Sequence, residues 1–216
     1  MEINGKKIKA ILFDMDGVLI DAKEWHYEAL NKALSLFGIT ISRYEHIHSF
    51  DGLPTKEKLR MLSKEAYLPE KLHGFINEMK QRYTMDLIHM HCRPVFQHEY
   101  ALSRLKEEGY RLAVCSNSIR HTIEVMMEKA DLMQYLEEIM SNEDVVRSKP
   151  DPEIYIKAME KMNLDPGQCL ILEDNKNGIK AAVDSGAYVL TVGDVWDVNY
   201  ENIIGRIGEI ERGERQ

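Results

Sequence analysis

Short apolar runs, each followed at once by polar residues, constrain the fold of this chain more than any other feature of its sequence. Three such runs occupy residues 8–13, 111–115 and 168–172. The polar tripeptides that follow them are Asp14-Met15-Asp16, Ser116-Asn117-Ser118 and Glu173-Asp174-Asn175. A short apolar run with turn residues behind it is typical of a parallel strand that is buried on both faces. Residues 188–192 fit the same pattern, and residues 138–141 fit it more weakly.

Helical periodicity fills the segments between these predicted strands. Apolar residues recur at helical spacing over residues 96–108, 119–130 and 152–162. Strands and helices therefore alternate from about residue 94 onward, which is the pattern of a doubly wound parallel sheet. We predict an α/β fold with a Rossmann-like core.

Residues 23–92 differ from the rest of the chain. They contain no convincing strand but three amphipathic segments, residues 24–37, 56–66 and 69–91, with helix-breaking residues between them. The sequence therefore predicts an all-helical domain at residues 23–92, inserted into a core domain formed by residues 1–22 and 93–216. The charged tail, residues 209–216, is expected to fray.

Charge and composition narrow the range of partners. A net charge of −8 and a pI near 5.5 argue against a nucleic-acid-binding protein, which needs a basic face. The three cysteines have no metal-ligand spacing, and two lie inside apolar runs, which favours a reducing, cytoplasmic setting. No apolar stretch reaches membrane-spanning length, so we expect no membrane partner. A chain of 216 residues can bury a full core, and we expect a monomer.

Acidic residues follow two of the predicted strands. Asp14 and Asp16 come after the first strand, and Glu173 and Asp174 lie at the end of another. If these strands are neighbours, the carboxylates converge, and like charges that close together need a cation between them. Carboxylate and carbonyl oxygens are the ligands that Mg²⁺ prefers. The sequence therefore predicts a magnesium site.

Candidate phosphate ligands lie at the same end of the predicted sheet. Ser116 and Asn117 offer a hydroxyl and an amide, and Lys149 lies directly before a proline, which keeps it out of a helix interior. Gly17 permits a sharp turn whose backbone amides are candidates to face a phosphate. These groups together would hold a phosphoryl group against Asp14.

These residues belong to four motifs that occur in a fixed order. The motifs are Phe13-Asp14-Met15-Asp16-Gly17-Val18-Leu19, Ser116-Asn117, Lys149-Pro150-Asp151-Pro152, and Glu173-Asp174 followed by Asn177-Gly178. In this set the chain resembles the haloacid dehalogenase (HAD) superfamily, in the helical-cap branch of β-phosphoglucomutase-like phosphatases and mutases. An Asp-x-Asp motif alone is common by chance, whereas four ordered motifs spread over nearly the whole chain are specific.

The resemblance implies a role for each acidic residue. Asp14 would be the nucleophile that takes the phosphoryl group as an aspartyl phosphate. Asp16 would protonate the leaving oxygen and then activate water. Mg²⁺ would be bound by the side chains of Asp14 and Asp174 and by the backbone carbonyl of Asp16. Glu173 would lie close to the ion or reach it through water.

The same resemblance implies which residues bind the phosphate and what role the helical insert has. Ser116 and Lys149 would hold the transferring phosphate, with Asn117 in support, and the insert would be a mobile cap over the substrate. His26 matches a histidine that helps to control proton transfer in mutase relatives, and Lys56 approximates their basic residue for a second phosphate. A histidine at this spacing is more often a packing or solvent-facing residue, and a solvated helix face is the more common role of a lysine such as Lys56.

The resemblance implies an enzyme, and we predict a magnesium-dependent phosphatase. Its substrate would be a small phosphomonoester, a sugar or polyol phosphate in particular. A phosphosugar mutase is the alternative, and a dehalogenase or a non-catalytic binding module is a weaker one. Purely structural interpretations also stay open: a solvated turn for Asp14 and Asp16, a surface position for Lys149, and helix capping for Glu173 and Asp174.

Overall fold

A computed structural model describes residues 7–50, 52–65 and 67–213 of the chain. Their contacts form two compact units, one made of residues 7–21 and 93–213 and the other of residues 22–92. The helices are α1 (Lys23–Ser35), α2 (Arg43–Glu45), α3 (Thr55–Glu65), α4 (His73–His91), α5 (Phe96–Glu107), α6 (Arg120–Lys129), α7 (Glu153–Lys161), α8 (Lys176–Asp184) and α9 (Tyr200–Glu211). Within these described residues, no helix is both long enough and apolar enough to cross a bilayer.

The first unit is built on a parallel sheet. Its strands are β1 (Ala10–Phe13), β2 (Arg111–Cys115), β3 (Glu138–Met140), β4 (Cys169–Glu173) and β5 (Tyr188–Thr191), in the spatial order β3-β2-β1-β4-β5. β1 therefore lies in the centre, with Phe13 paired to Val114 of β2 and to Leu172 of β4. The predicted doubly wound α/β fold is confirmed.

Helices cover both faces of this sheet because its central strands are apolar on both sides. On one face, Leu12 and Ala113 pack with Tyr155 of α7 and Ala182 of α8. On the other face, α5 contacts β2, α9 contacts β5, and the two helices contact each other. The residues of β1 and β4 are all buried, as a central parallel strand requires. The polar residues that follow these strands are therefore held in fixed positions at the carboxyl-terminal edge of the sheet.

The second unit consists of helices and connecting loops, with no strand among its described residues. Helices α1 and α4 pack against each other, and α3 joins them around an apolar cluster. That cluster includes Leu30, Leu34, Leu59, Leu62 and Ile76. The segment predicted as one helix over residues 69–91 divides into a 3-10 turn at Glu70–Leu72 and the long helix α4.

The carboxyl-terminal segment differs from the prediction. Residues 209–216 were expected to fray, but Glu209–Glu211 form the end of α9, and residues 214–216 lie outside the described part of the chain. The reason is an apolar stripe, Ile203, Ile207 and Ile210, which is buried along one face of the helix. Asn199 caps this helix by accepting a hydrogen bond from the amide of Asn202 at 2.8 Å.

Candidate active site

The polar ends of three adjacent strands meet at one edge of the sheet. Asp14 follows β1 directly, and its amide donates a 3.0 Å hydrogen bond to the carbonyl of Leu172 in β4. Ser116 follows β2, and its amide donates to the carbonyl of Met140 in β3 at 3.0 Å. Because parallel strands end at the same edge, the predicted site residues of the core are brought together here.

Lys149 is the centre of a buried polar network. Its Nζ atom lies 2.7 Å from Oδ1 of Asp14 and 2.7 Å from Oε1 of Glu173. It also lies 2.7 Å from the hydroxyl of Tyr155 and 2.8 Å from the carbonyl of Cys115. An ammonium group has three protons, so four acceptors compete for them. One of these contacts can therefore be exchanged for a ligand oxygen while the other acceptors hold the lysine.

The charge state of Lys149 is fixed by its neighbours. The side chain is only 3% exposed, and burial alone would lower the pKa of the ammonium group. The carboxylates of Asp14 and Glu173 outweigh burial and raise that pKa above its ordinary value. These neighbours favour the protonated form of Lys149 beside Asp14, and its burial excludes a surface position.

Three carboxylates form a cluster that suits a divalent cation. Asp14, Glu173 and Asp174 each offer a carboxylate oxygen, and these oxygens lie within 4.8 Å of one another. Burial raises the pKa of Asp14 well above its ordinary range, Lys149 opposes the shift, and the nearby carboxylates add to it. A hard cation would offset both burial and repulsion, and oxygen donors are the ligands of Mg²⁺. The residues present thus fit the predicted metal.

Asp16 lies on the turn after β1, half-buried, outside this carboxylate cluster. Ser118 donates a 3.3 Å hydrogen bond from its hydroxyl to Oδ2 of Asp16. The turn needs Gly17, whose φ of 95° is costly for other residues. The amide of Gly17 donates to the carbonyl of Ile20 at 2.7 Å, so it is used within the turn. The expectation that backbone amides of this turn face a phosphate stays a prediction.

Asn117 and Ser116 support the lysine and the loop after β2. Oδ1 of Asn117 accepts from the amide of Lys149 at 3.1 Å, and its Nδ2 donates to the carbonyl of the same residue at 3.3 Å. Asn117 thus fixes the Lys149 backbone from both sides. Ser116 is 1% exposed, and its hydroxyl oxygen accepts from the amide of Ser118 at 3.0 Å.

The loop after β4 brings helix α8 very close to Glu173. Asn175, not Asp174, caps this helix, and it accepts hydrogen bonds from the amides of Asn177 and Gly178 at 3.1 and 3.0 Å. A Cβ atom on Gly178 would lie 2.0 Å from Oε1 of Glu173. Only glycine therefore allows the helix to pass behind the carboxylate.

Two residues of this site were not singled out from the sequence. The Tyr155 hydroxyl donates to Oε1 of Glu173 at 2.5 Å, and Ser118 contacts Asp16 as described above. Tyr155 falls on the apolar face of the helix predicted over residues 152–162, and that position alone indicates a core residue. The sequence feature that could have indicated a polar role is its place six residues after Lys149, in the first turn of α7.

The predicted cap residues lie in the helical unit. His26 belongs to α1, where its Nδ1 atom lies 3.1 Å from Nζ of Lys80 in α4. Lys56 belongs to α3 and is exposed. Their proposed contacts with substrate stay predictions.

Comparisons with known proteins identify the family of the chain. The family model described as haloacid dehalogenase-like hydrolase matches residues 11–192. The chain is 28% identical over 182 residues to a Thermotoga maritima protein named phosphorylated carbohydrates phosphatase, with 83% of this chain and 82% of that protein covered. It is 30% identical over 182 residues to hexitol phosphatase B of Escherichia coli, with 82% and 80% covered.

Solved structures show the same fold. A β-phosphoglucomutase from Clostridium difficile superposes with a TM-score of 0.82 at 23% identity, over 95% of this chain and 99% of that one. CbbY from Rhodobacter sphaeroides, solved with phosphate, gives a TM-score of 0.76 at 25% identity over 85% of both chains. The family match spans most of the sequence, so the chain belongs to the haloacid dehalogenase-like hydrolases, in their phosphatase branch.

Proposed function

We propose that this protein hydrolyses a small phosphomonoester through an aspartyl phosphate on Asp14, with Mg²⁺ as its cofactor. The observation that carries the proposal is the position of Lys149, whose Nζ atom lies 2.7 Å from both Asp14 and Glu173 beside the carboxylate cluster. A nucleophilic carboxylate, a fixed cation and a set of metal ligands are the parts that phosphoryl transfer needs.

In the first step, a carboxylate oxygen of Asp14 attacks the phosphorus atom and the ester P–O bond breaks. Asp16 gives its proton to the departing alkoxide, so the product leaves as a neutral alcohol. Lys149 holds Oδ1 of Asp14 and so limits rotation of the nucleophile. Its charge also stabilises the negative charge spread over the phosphoryl oxygens.

In the second step, water replaces the aspartate on phosphorus. Asp16, now ionised, takes a proton from the water as its oxygen attacks, and the bond between Asp14 and phosphorus breaks. Phosphate is released and the Asp14 carboxylate is restored. Ser118, 3.3 Å from Oδ2 of Asp16, keeps this carboxyl group oriented in both steps.

Mg²⁺, when bound, neutralises the carboxylate cluster and the charge of the transferring phosphoryl group. Asp14 and Asp174 are its proposed side-chain ligands, joined by the backbone carbonyl of Asp16. Glu173 is fully buried and is held by Lys149 and Tyr155, which suits a residue that sets the charge balance next to the ion.

The substrate class is proposed from the relatives. Two of them are named for phosphorylated carbohydrates and for hexitol phosphates, so a sugar or polyol phosphate is the first class to test. We propose further that the helical unit, residues 22–92, acts as the cap over that substrate, with His26 and Lys56 as candidate contacts.

The experiment is a phosphate-release screen over sugar phosphates, polyol phosphates and nucleotides, with and without Mg²⁺. We expect Mg²⁺-dependent release that is strongest in the first two classes. Including a sugar bisphosphate primer separates hydrolysis from isomerisation. Primer-dependent conversion of one sugar phosphate into another, with little free phosphate, would refute the phosphatase and support the mutase.

A further inference from the structure

The chain reaches Lys149 through a short loop, residues 146–148, which lies between β3 and α7. This segment is called the lysine loop below. Val146 is 90% exposed, and the side chain of Arg147 is 70% exposed. Side chains that stay in water contribute little burial to fix the backbone that carries them. The position of the lysine loop therefore depends on the hydrogen bonds of its backbone.

Glu153, the first residue of α7, accepts two of these hydrogen bonds. Its Oε1 atom accepts from the amide of Val146 at 3.0 Å, and its Oε2 atom accepts from the amide of Arg147 at 2.9 Å. Each carboxylate oxygen thus holds one of two successive amides. Hydrogen bonds to a charged acceptor are stronger than neutral ones, so this carboxylate fixes the lysine loop to the start of α7.

The neighbours of Glu153 keep its carboxylate ionised. Nζ of Lys157, one helical turn further along α7, lies 2.9 Å from Oε1. The amide of Val146, the ammonium group of Lys157 and the amide of Arg147 lower the pKa of Glu153 to about 2. At neutral pH both oxygens are therefore acceptors. A glutamine in this place would offer one acceptor oxygen and would turn an NH₂ group towards the second amide.

The first turn of α7 acts on Lys149 at both of its ends. The hydroxyl of Tyr155 lies 2.7 Å from Nζ of Lys149, at the tip of the side chain. Glu153 holds the backbone that leads into the same lysine. Asn117 binds the amide of Lys149 itself, at 3.1 Å. Glu153 therefore determines the direction from which the chain enters the candidate site.

A shift of the lysine loop is transmitted to the reacting groups. Nζ of Lys149 lies 2.7 Å from Oδ1 of Asp14, so this contact changes when the backbone of Lys149 moves. Phosphoryl transfer depends on placement and charge more than on covalent chemistry by the protein. A misplacement of about 1 Å can lower a rate by about 100-fold.

We propose that Glu153 is a positioning residue for the reaction at Asp14. Its carboxylate holds the amides of Val146 and Arg147, and the lysine loop then holds the ammonium group of Lys149 against the nucleophile and the transferring phosphoryl group. Glu153 acts only through Lys149. This role rests on the proposed function, because the reaction at Asp14 is what the lysine serves.

Turnover of Glu153→Gln tests the role, with Glu160→Gln as the matched control. Glu160 is exposed and belongs to the same helix. We expect kcat to fall about tenfold in Glu153→Gln with KM changed by less than about twofold, and both constants to stay at wild-type values in Glu160→Gln. Assays run well below the unfolding temperature of each variant, so a loss of stability alone does not lower kcat. A folded Glu153→Gln protein with wild-type kcat overturns the proposal.

A double-mutant cycle with Lys149→Met separates positioning from a general structural effect. In the Lys149→Met background there is no ammonium group to place, so Glu153→Gln should lower kcat no further. The same fold-change in both backgrounds would show that Glu153 acts through another group, and it would overturn the proposal.

The backbone amide of Lys149 gives a second measurement, by NMR, that needs neither turnover nor the Lys149→Met variant. We expect its signal to shift in Glu153→Gln and to stay in place in Glu160→Gln. An unshifted signal in both variants overturns the proposal. If the wild type releases no phosphate, the proposed function fails, whereas this comparison still decides whether Glu153 places Lys149.

Discussion

The hydroxyl of Tyr155 donates a 2.5 Å hydrogen bond to Oε1 of Glu173, and the same oxygen lies 2.7 Å from Nζ of Lys149. All three side chains are buried. Burial, together with the charge of Glu173, raises the pKa of the Tyr155 hydroxyl well above its ordinary value, so the tyrosine stays a donor. Helix α7 is thereby tied to the end of β4 through the charged residues of the candidate site.

Replacing this tyrosine tests its positioning role. Tyr155→Phe removes one donor to Glu173 and one acceptor of Lys149, so we expect a loss of stability of about 1–3 kcal/mol. We also expect kcat to fall roughly tenfold with a smaller change in KM, because the lysine is less well placed in the transition state. Thermal unfolding and p-nitrophenyl phosphate turnover measure both effects. Tyr135→Phe, a partly exposed tyrosine ahead of β3, is the matched control. Equal behaviour of the two variants would rule out the role.

Gly178 offers a test of the close approach to Glu173. Gly178→Ala puts a Cβ atom 2.0 Å from the carboxylate, which cannot move without breaking its bonds to Lys149 and Tyr155. We expect a loss of about 1–3 kcal/mol and weaker Mg²⁺ binding. Gly205→Ala is the control, because its exposed position in α9 has nothing within 4 Å. That change should stabilise by about 0.5–1 kcal/mol. If Gly178→Ala also stabilises, the described packing is incorrect.

Magnesium should stabilise the folded protein, and more so at higher pH. Asp14 has a raised pKa in the folded state, so the metal-free protein loses stability as pH rises from the ordinary pKa of an aspartate to that raised value. Mg²⁺ competes with the proton and restores this loss. At a Mg²⁺ concentration of 100 times Kd the gain is about 2.7 kcal/mol. Thermal unfolding with and without Mg²⁺ across pH measures it. If Mg²⁺ stabilises Asp14→Asn and Asp174→Asn as much as it stabilises the wild type, the ion binds elsewhere.

His46 should make the stability of the protein depend on pH in the opposite sense. Its folded-state pKa of about 4 lies below the ordinary histidine value of 6.5, so the unfolded chain binds the proton more readily. Stability should therefore fall as pH drops from 6.5 towards 4, by up to about 3 kcal/mol. Urea unfolding of the wild type and His46→Gln in phosphate-free buffer isolates this contribution. The same slope in both proteins would show that His46 does not titrate in this way.

Much of the sheet could be predicted because its signals are local. The strand predicted from Arg111 to Cys115 is observed with the same bounds. The strand predicted over residues 168–172 is observed one residue later, as Cys169–Glu173. The acidic residues at the strand ends could be predicted to lie in one site because parallel strands end at the same edge of a sheet.

Other parts of the site depend on tertiary packing and have no local signal. Tyr155 looks like an ordinary core residue until α7 is placed against β2 and β3, where its hydroxyl meets Glu173. The burial of His46 and Lys58 likewise follows from how separate helices pack. By contrast, the stripe Ile203, Ile207 and Ile210 was visible in the sequence and could have predicted α9.

Turnover by Asp14→Asn is the most direct measurement of the proposed reaction. The variant keeps the shape of the side chain and removes its nucleophilic carboxylate, so Mg²⁺-dependent phosphate release from p-nitrophenyl phosphate should fall by at least about 10³-fold. Circular dichroism should show that the variant remains folded. A folded Asp14→Asn protein that releases phosphate at the wild-type rate would contradict the role of Asp14 as nucleophile.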